Sequence, residues 1–364
     1  MSTPKSRIRV GIITVILLSG ISFWIINNTR KGTIRKELFD YAVSDTGAIT
    51  KIFMVSTSGK QVTLTKQSAG NWQVNGKFKA RNDAIKNLLE CMKDLQVKNP
   101  VAKSAVENVS KDLATSSTKV EIYQSGKLVK MYYVGADTQD GLGTFMLLSD
   151  IETGQNSTMP FVMFIPGFNG FLSVRYFLDE NTWRDKSIFS FFPDQISSID
   201  VRLMKHPDSS FTISLSDKNE ISLADGKGKK INVFDTLKVK RYITYYTNIQ
   251  YESLKNDMRQ SLKDSVLAKG PMHIITLTGR DGKIHTVKTF SKPPVDPDKT
   301  DEFTGKPLTE DLERLYALIN SDKDIAIVQY FTFGKLFPTA SYFTHRGEKQ
   351  PSSARTAKKR DVKK

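Results

Sequence analysis

The chain has little of what catalysis uses. Its 364 residues contain one cysteine, Cys91, and four histidines. No intrachain disulfide can form. There is no HExxH and no CxxC, so the familiar short zinc patterns are absent. There is no GxSxG and no GxxxxGK[ST], which removes the usual signatures of a hydrolase nucleophile and a phosphate-binding loop. Cys91 stands among Ile85, Leu88, Leu89, Met92 and Leu95, an apolar helical pattern that makes it a packing residue.

Net basic charge is small on the body although the chain carries a net +16. Residues 1–36 hold seven Lys/Arg and no acid, and residues 346–364 hold eight against Glu348 and Asp361. Residues 37–345 are left with only +3. A nucleic-acid groove needs cations clustered on the folded surface, so no nucleic-acid partner is expected.

Charge is absent altogether from Val10 to Asn28, a run of 19 residues. As a helix it would be ~28 Å long, close to the hydrocarbon thickness of a bilayer. Phe23 and Trp24 sit where aromatics favour the interface. Gly20 and Ser22 have the small-x-small spacing of a cleavage site, but the apolar run continues past them. The expected topology is residues 1–9 in the cytoplasm, an inner-membrane anchor over 10–28, and the body in the periplasm. Residues 345–364, almost free of apolar side chains, read as a basic disordered tail. Such a tail can touch anionic lipid or another acidic surface.

The body contains one pattern written twice. "ITKIFMV", "KQVTLTKQ" and "WQVNGKFKA" alternate apolar and polar residues, as do "ISSIDVRL", "SFTISLSDK" and "EISLADGKGKKINV". Asn75-Gly76 marks a tight hairpin that sets Val74 opposite Lys77. A helix follows in each copy, over about 80–97 with Asn82 or Asp83 as its cap, and over about 234–249. Asp83 then matches Asp235. A second hairpin turns at Ser125-Gly126, placing Glu121 opposite Lys130. Its partner is "HIITLTGRDGKIHTVKTF". Tyr176-Phe177 aligns with Tyr342-Phe343. The expected fold is α+β: an N-terminal transmembrane helix, then two tandem modules, 37–178 and 190–344, each an antiparallel sheet with one main helix. The joint, 179–189, is too aromatic for a flexible linker. Trp183, Ile188, Phe189 and Phe191 are expected to pack between the modules.

Candidate chemistry is thin. His273 and His285 share a hairpin, but the turn at Gly279–Gly282 is expected to put them on opposite faces, which argues against a metal site. Asp296, Asp298, Asp301 and Glu302 lack EF-hand spacing and read as a solvated loop. Asn108 and Asn156 match the glycan sequon and read as ordinary loop residues. Asp179, Glu180 and Asp185 flank Trp183-Arg184, and a hydrolase using such paired carboxylates is one alternative. No catalytic residue, metal or cofactor is assigned. The "FIPGFNGFLSVRYF" stretch, Phe164–Phe177, stands out. Its Pro-Gly-Phe-Asn-Gly turn belongs to the first module alone, with Phe168, Asn169 and Phe171 as the candidate partner-binding residues.

"ITKIF…VTL…WQVNGKFKARNDAIKNLL", "GTFML", "IPGFNGFL…RYF" and "WRDKSIF" resemble an uncharacterised membrane-anchored family, the domain of unknown function 4340 of Bacteroidetes bacteria. The resemblance runs from about 38 to 343. It implies an envelope protein and brings no catalytic residues. Some relatives are encoded beside ABC-transport or gliding-type components, which makes an accessory role in such a complex a further alternative. The expected function is a non-catalytic, membrane-anchored binding or scaffold protein of the cell envelope.

Overall fold

In the computed structural model, residues 18–20, 22 and 40–344 are described, except 297, 299, 302 and 303. The chain divides into two units, Met1–Asp185 and Lys186–Lys364. Of the expected anchor, only residues 18–20 and 22 are described, and they are helical. The rest of that segment and the basic tail lie outside the described residues. Among the described residues no helix is long and apolar enough to cross a membrane.

Unit 1 is built on nine strands: β1 Ile49–Ser56, β2 Gln61–Lys66, β3 Trp72–Val74, β4 Phe78–Lys79, β5 Gln96–Pro100, β6 Thr118–Gln124, β7 Lys127–Asp137, β8 Thr144–Ser149 and β9 Phe161–Phe164. They form one sheet in the order β4-β3-β2-β1-β6-β7-β8-β9-β5, with every pairing antiparallel. Helix α1, Asn82–Asp94, lays Ile85, Leu88 and Met92 on one sheet face. There they meet Ile52, Met54, Val120, Ile122, Tyr132 and Met146. Each such aliphatic side chain contributes roughly 1.5–3 kcal/mol when fully buried. Helix α2, Val106–Ser116, covers the other face, where Val109 and Leu113 join Val162, Tyr133, Phe145 and Leu147. A short turn of helix, α3 Glu180–Trp183, ends the unit.

Unit 2 opens with β10 Ser187–Phe189. The strands that follow are β11 Ile196–Leu203, β12 Phe211–Leu215, β13 Ile221–Asp225 and β14 Lys230–Ile231. After helix α4, Thr236–Thr244, come β15 Ile249–Gln250 and β16 Ser253–Leu254, then helix α5, Gln260–Ala268. The unit closes with β17 His273–Gly279, β18 Ile284–Ser291, β19 Arg314–Ile319, β20 Asp324–Gln329, helix α6 Tyr330–Phe333 and helix α7 Ala340–Thr344. The large sheet runs β14-β13-β12-β11-β17-β18-β19-β20-β16, the order of unit 1. β10 pairs with β15 as a separate ribbon. Val239, Tyr242 and Ile243 of α4 pack into one core, and Val266 of α5 packs with Phe290, Tyr316 and Leu318 in another.

Both sheets even share a fault. The β1–β6 ladder slips between Ile49 and Lys51, and the β11–β17 ladder slips between Ile196 and Ser198. The α+β, antiparallel expectation therefore holds, with corrections. Each unit carries a second helix on its outer face, not one main helix alone. The α1 start is at Asn82 with Arg81 as N-cap, and the Arg81 side chain makes no capping bond. In unit 2 Asp235 is the cap, accepting from Leu237 N and Lys238 N. Asp235 thus matches Arg81 and not Asp83.

Register differs too. Asn75 and Gly76 do take positive φ, 51° and 66°, but Val74 pairs with Phe78 because Lys77 joins the turn. Ser125-Gly126 turns as expected, yet a bulge between Ile122 and Tyr123 sets Glu121 opposite Met131. Glu121 pairs instead with Lys119 at 2.6 Å. The joint residues are divided between two cores. Trp183 is fully buried in the core of unit 1, and Phe189, with Ile188 and Phe191 against it, belongs to the core of unit 2.

The closing segments align differently from the sequence reading. Trp183 O accepts from Arg81 N at 2.8 Å, and Phe343 O accepts from Asp235 N at 2.7 Å. Each caps the start of the main helix, so Trp183 and Phe343 are equivalents. Tyr176 and Phe337 likewise follow matched 3₁₀ turns, Ser173–Arg175 and Gly334–Leu336, with near-identical φ and ψ. Tyr176 therefore matches Phe337, not Tyr342.

Candidate partner-binding loop

β9 ends at Phe164, and the chain leaves the sheet at Pro166. Phe168 N donates to Ile165 O at 3.0 Å, closing a turn in which Gly167 has φ +77°. The Phe168 ring folds back over Gly170, where a Cβ would come within 2.9 Å of it. Gly170 also has φ +152°, so a side chain there is excluded twice.

The far side of the loop is pinned. Leu172 is buried, and its N–H donates to Thr144 Oγ1 at 3.1 Å. Thr144 Oγ1 in turn donates to Asp137. Ser173 Oγ donates to the other Asp137 oxygen at 2.5 Å. Tyr176, buried at the next turn, shares its hydroxyl with Tyr132 at 3.1 Å and Cys91 at 3.5 Å. Burial pushes both phenols and the Cys91 thiol up, so all three stay protonated and serve as structural groups.

Pro166, Gly167, Phe168, Asn169 and Phe171 of this loop are exposed. Phe168 is 37% exposed, Phe171 46%, and Asn169 is exposed as well. The structure thus brings the three predicted residues to one exposed loop. It adds three that sequence reading missed. Leu142 in the β7–β8 turn is exposed, and Gly141 beside it lies against the Phe171 ring. Val174 is exposed. The Arg175 guanidinium stacks over the Phe168 ring at 4.1 Å from its centroid. Arg175 would have been found by aligning the two closing turns correctly.

The other candidates are dispersed. Asp179 caps α3, accepting from Thr182 N and Oγ1 at 3.0 and 2.7 Å. Glu180 accepts from Asn75 Nδ2 at 2.6 Å, and Asp185 pairs with Lys79 at 2.7 Å. Each carboxylate thus has its own structural partner, which leaves no free pair for acid/base work.

His273 and His285 do share a sheet face, contrary to expectation, because His285 lies opposite Leu277, two and four residues on from Ile275 and His273. They stand four ladder positions apart, ~13 Å along the strands. His273 stacks on Phe337 at 3.9 Å, and His285 meets the Phe191 ring edge. Asp296 accepts from Asp298 N, and Asp301 from Thr304 N. Glu302 lies outside the described residues, and among those described no group of three or more acidic, His or Cys side chains could hold a metal. Asn108 sits on α2 instead of a loop, and Asn156 Oδ1 accepts from Ser149 Oγ at 2.6 Å.

Each unit also has a cleft. One of about 340 Å³ in unit 2 is walled by Leu215, Ile221 and Ile243. One of about 840 Å³ in unit 1 is walled by Asp40, Lys130 and the polar 148–158 segment. No family model, no curated protein and no solved structure matches the chain.

Proposed function

We propose that the chain is a non-catalytic binding or scaffold protein of the cell envelope, anchored in the inner membrane by residues 10–28 with its body in the periplasm. The observation that carries this reading is the Phe168–Phe171 loop. Two large apolar rings are held partly in solvent on a loop closed at its start by the Phe168 N to Ile165 O bond and pinned at its end through Leu172 and Ser173. Large aromatics on a pre-ordered loop lose little entropy on docking and are the residue type that anchors interfaces.

The test is cross-linking and capture of the full-length chain from membranes, followed by mass spectrometry. Phe168→Ala/Phe171→Ala should abolish recovery of the same envelope protein. Equal recovery with wild type and variant would sink the loop as the contact. Recovery of transporter or gliding-type subunits would assign the accessory role. A reporter fused after Lys364 should behave as periplasmic, and a cytoplasmic signal would overturn the topology.

A further inference from the structure

The two units are copies of one plan, so each position in unit 1 has an internal control in unit 2. At the closing 3₁₀ turn the control is Leu336, equivalent to Arg175 by the matched turns Ser173–Arg175 and Gly334–Leu336. Leu336 is fully buried in the core of unit 2. Unit 1 puts a guanidinium in that place. It stacks on Phe168, and no described residue gives it a hydrogen bond or an ion pair. One Nη nitrogen is buried and unpartnered. Leaving the donors of a half-buried cation unmatched is unfavourable, and arginine is the side chain best shaped to take a carboxylate in a two-pronged pair.

The second departure falls beside the first. Met163 of unit 1 matches Val328 of unit 2, because the first pairs with Thr144 and the second with Leu315 at equivalent ladder positions. Tyr176 matches Phe337. Unit 1 therefore spends four more residues between these points, and they build the turn that carries Phe168 and Asn169. The extra turn and the core-to-cation exchange meet in one ring–guanidinium stack. Phe171 and Val174 are exposed on the same segment, and Leu142 is exposed in the β7–β8 turn, where Gly141 lies against the Phe171 ring.

Resting on the binding reading above, we infer that this loop docks an acidic peptide segment of a partner protein, Arg175 receiving a carboxylate while Phe168 and Phe171 take the adjacent apolar side chain. Charge complementarity selects the occupant: the loop carries a half-buried guanidinium with no described ion pair, together with exposed apolar side chains. Position supports a protein over the chain's own membrane. The body's first described residue, Asp40, pairs with Lys130 near the start of β7, whereas the loop is pinned to Asp137 at the end of β7. Those points are seven residues apart on the strand, ~23 Å.

The experiment selects a random-peptide display library on the full-length chain in detergent, against wild type and Arg175→Leu in parallel. Leucine is the residue the second unit uses here, so the variant should fold, which a thermal melt checks. The expected result is enrichment, on wild type alone, of peptides with Asp or Glu beside an apolar residue. Their affinity should fall at least ~10-fold with Arg175→Leu, and as far when the peptide acid is changed to its amide. Arg175→Lys, which keeps charge and loses the planar fork, should fall between. Peptides that need Phe168 and Phe171 but ignore Arg175→Leu overturn the carboxylate and leave the binding reading standing. Peptides indifferent to all three residues, or no enrichment, overturn both for this loop. Arg175-dependent binding to anionic vesicles with no peptide preference overturns the protein partner in favour of lipid.

Discussion

Units 1 and 2 fold alike and solve the same problem with different side chains. Each buries a pair of tyrosine hydroxyls under its closing turn. In unit 1 the pair is Tyr132 of β7 and Tyr176 of the loop, 3.1 Å apart. In unit 2 it is Tyr242 and Tyr246, on and just after α4, 2.7 Å apart. The exchange is reciprocal. Counting from the helix caps, Leu88 and Met92 stand where Tyr242 and Tyr246 do. Val287 and Phe337 stand where Tyr132 and Tyr176 do. A buried hydroxyl needs a partner, so in each unit the two rings occupy positions where their hydroxyls meet. The closing turns differ too: unit 1 has four more residues before its turn, and Arg175 stands where unit 2 has Leu336.

The largest test of this equivalence is at the caps. Trp183→Ala should destabilise unit 1 by ~3–5 kcal/mol, because the indole is fully buried, stacks on Phe177 and donates to Phe177 O. Phe343→Ala should cost unit 2 a similar amount. Urea unfolding reads this, with Trp72 fluorescence following unit 1, since unit 2 has no tryptophan. A cost below ~1 kcal/mol at either site breaks the pairing.

Next come the hydroxyl pairs. Tyr242→Phe should cost ~1–3 kcal/mol, leaving the buried Tyr246 hydroxyl without its mate. Tyr246→Phe should cost less, because the Tyr242 hydroxyl keeps Leu336 O at 3.0 Å. Equal losses in the urea midpoints would show that the Leu336 bond contributes nothing.

A pH test separates the units, since all four histidines lie in unit 2. Burial first, then nearby Lys205, depresses His273 from 6.5 to about 4. The folded state therefore resists protonation that the unfolded state accepts. His273 contributes full stability above its unfolded value, and that contribution is lost as pH falls from 6.5 towards 4. Chemical melts across that window should show unit 2 weakening. His273→Asn should flatten the trend, and a trend left unchanged by that variant refutes the assignment.

The smallest effect is at the helix starts. Asp235→Ala should cost ~1 kcal/mol through its lost bonds to Leu237 N and Lys238 N. Arg81→Ala, at a start with no side-chain capping bond, should show no capping loss by the same melt.

Particular residues show what was readable. The strand alternation of Ile52 and Met54, or of Ile199 and Val201, is a local pattern and gave both sheets. Asn75-Gly76 and Ser125-Gly126 announced their turns because few residues accept positive φ. The aromatic loop stood out by composition. Helices α2 and α5 were missed, although Val106, Val109 and Leu113 keep helical spacing, because short polar helices carry a weak pattern. The one-residue slips at Lys77 and Val129 escaped, because a bulge is chosen by the neighbouring strand.

The sequence by itself determined the α+β plan, its antiparallel strands and its duplication, since those depend on periodicities a few residues long. Tertiary structure alone decided the register of the hairpins, the separate burial of Trp183 and Phe189, and the true partners of Tyr176 and Arg175. These depend on contacts between residues far apart in the chain. An arginine in a loop is ordinary in sequence. It gains meaning only when folding sets it over Phe168, in the place where its twin keeps a buried leucine.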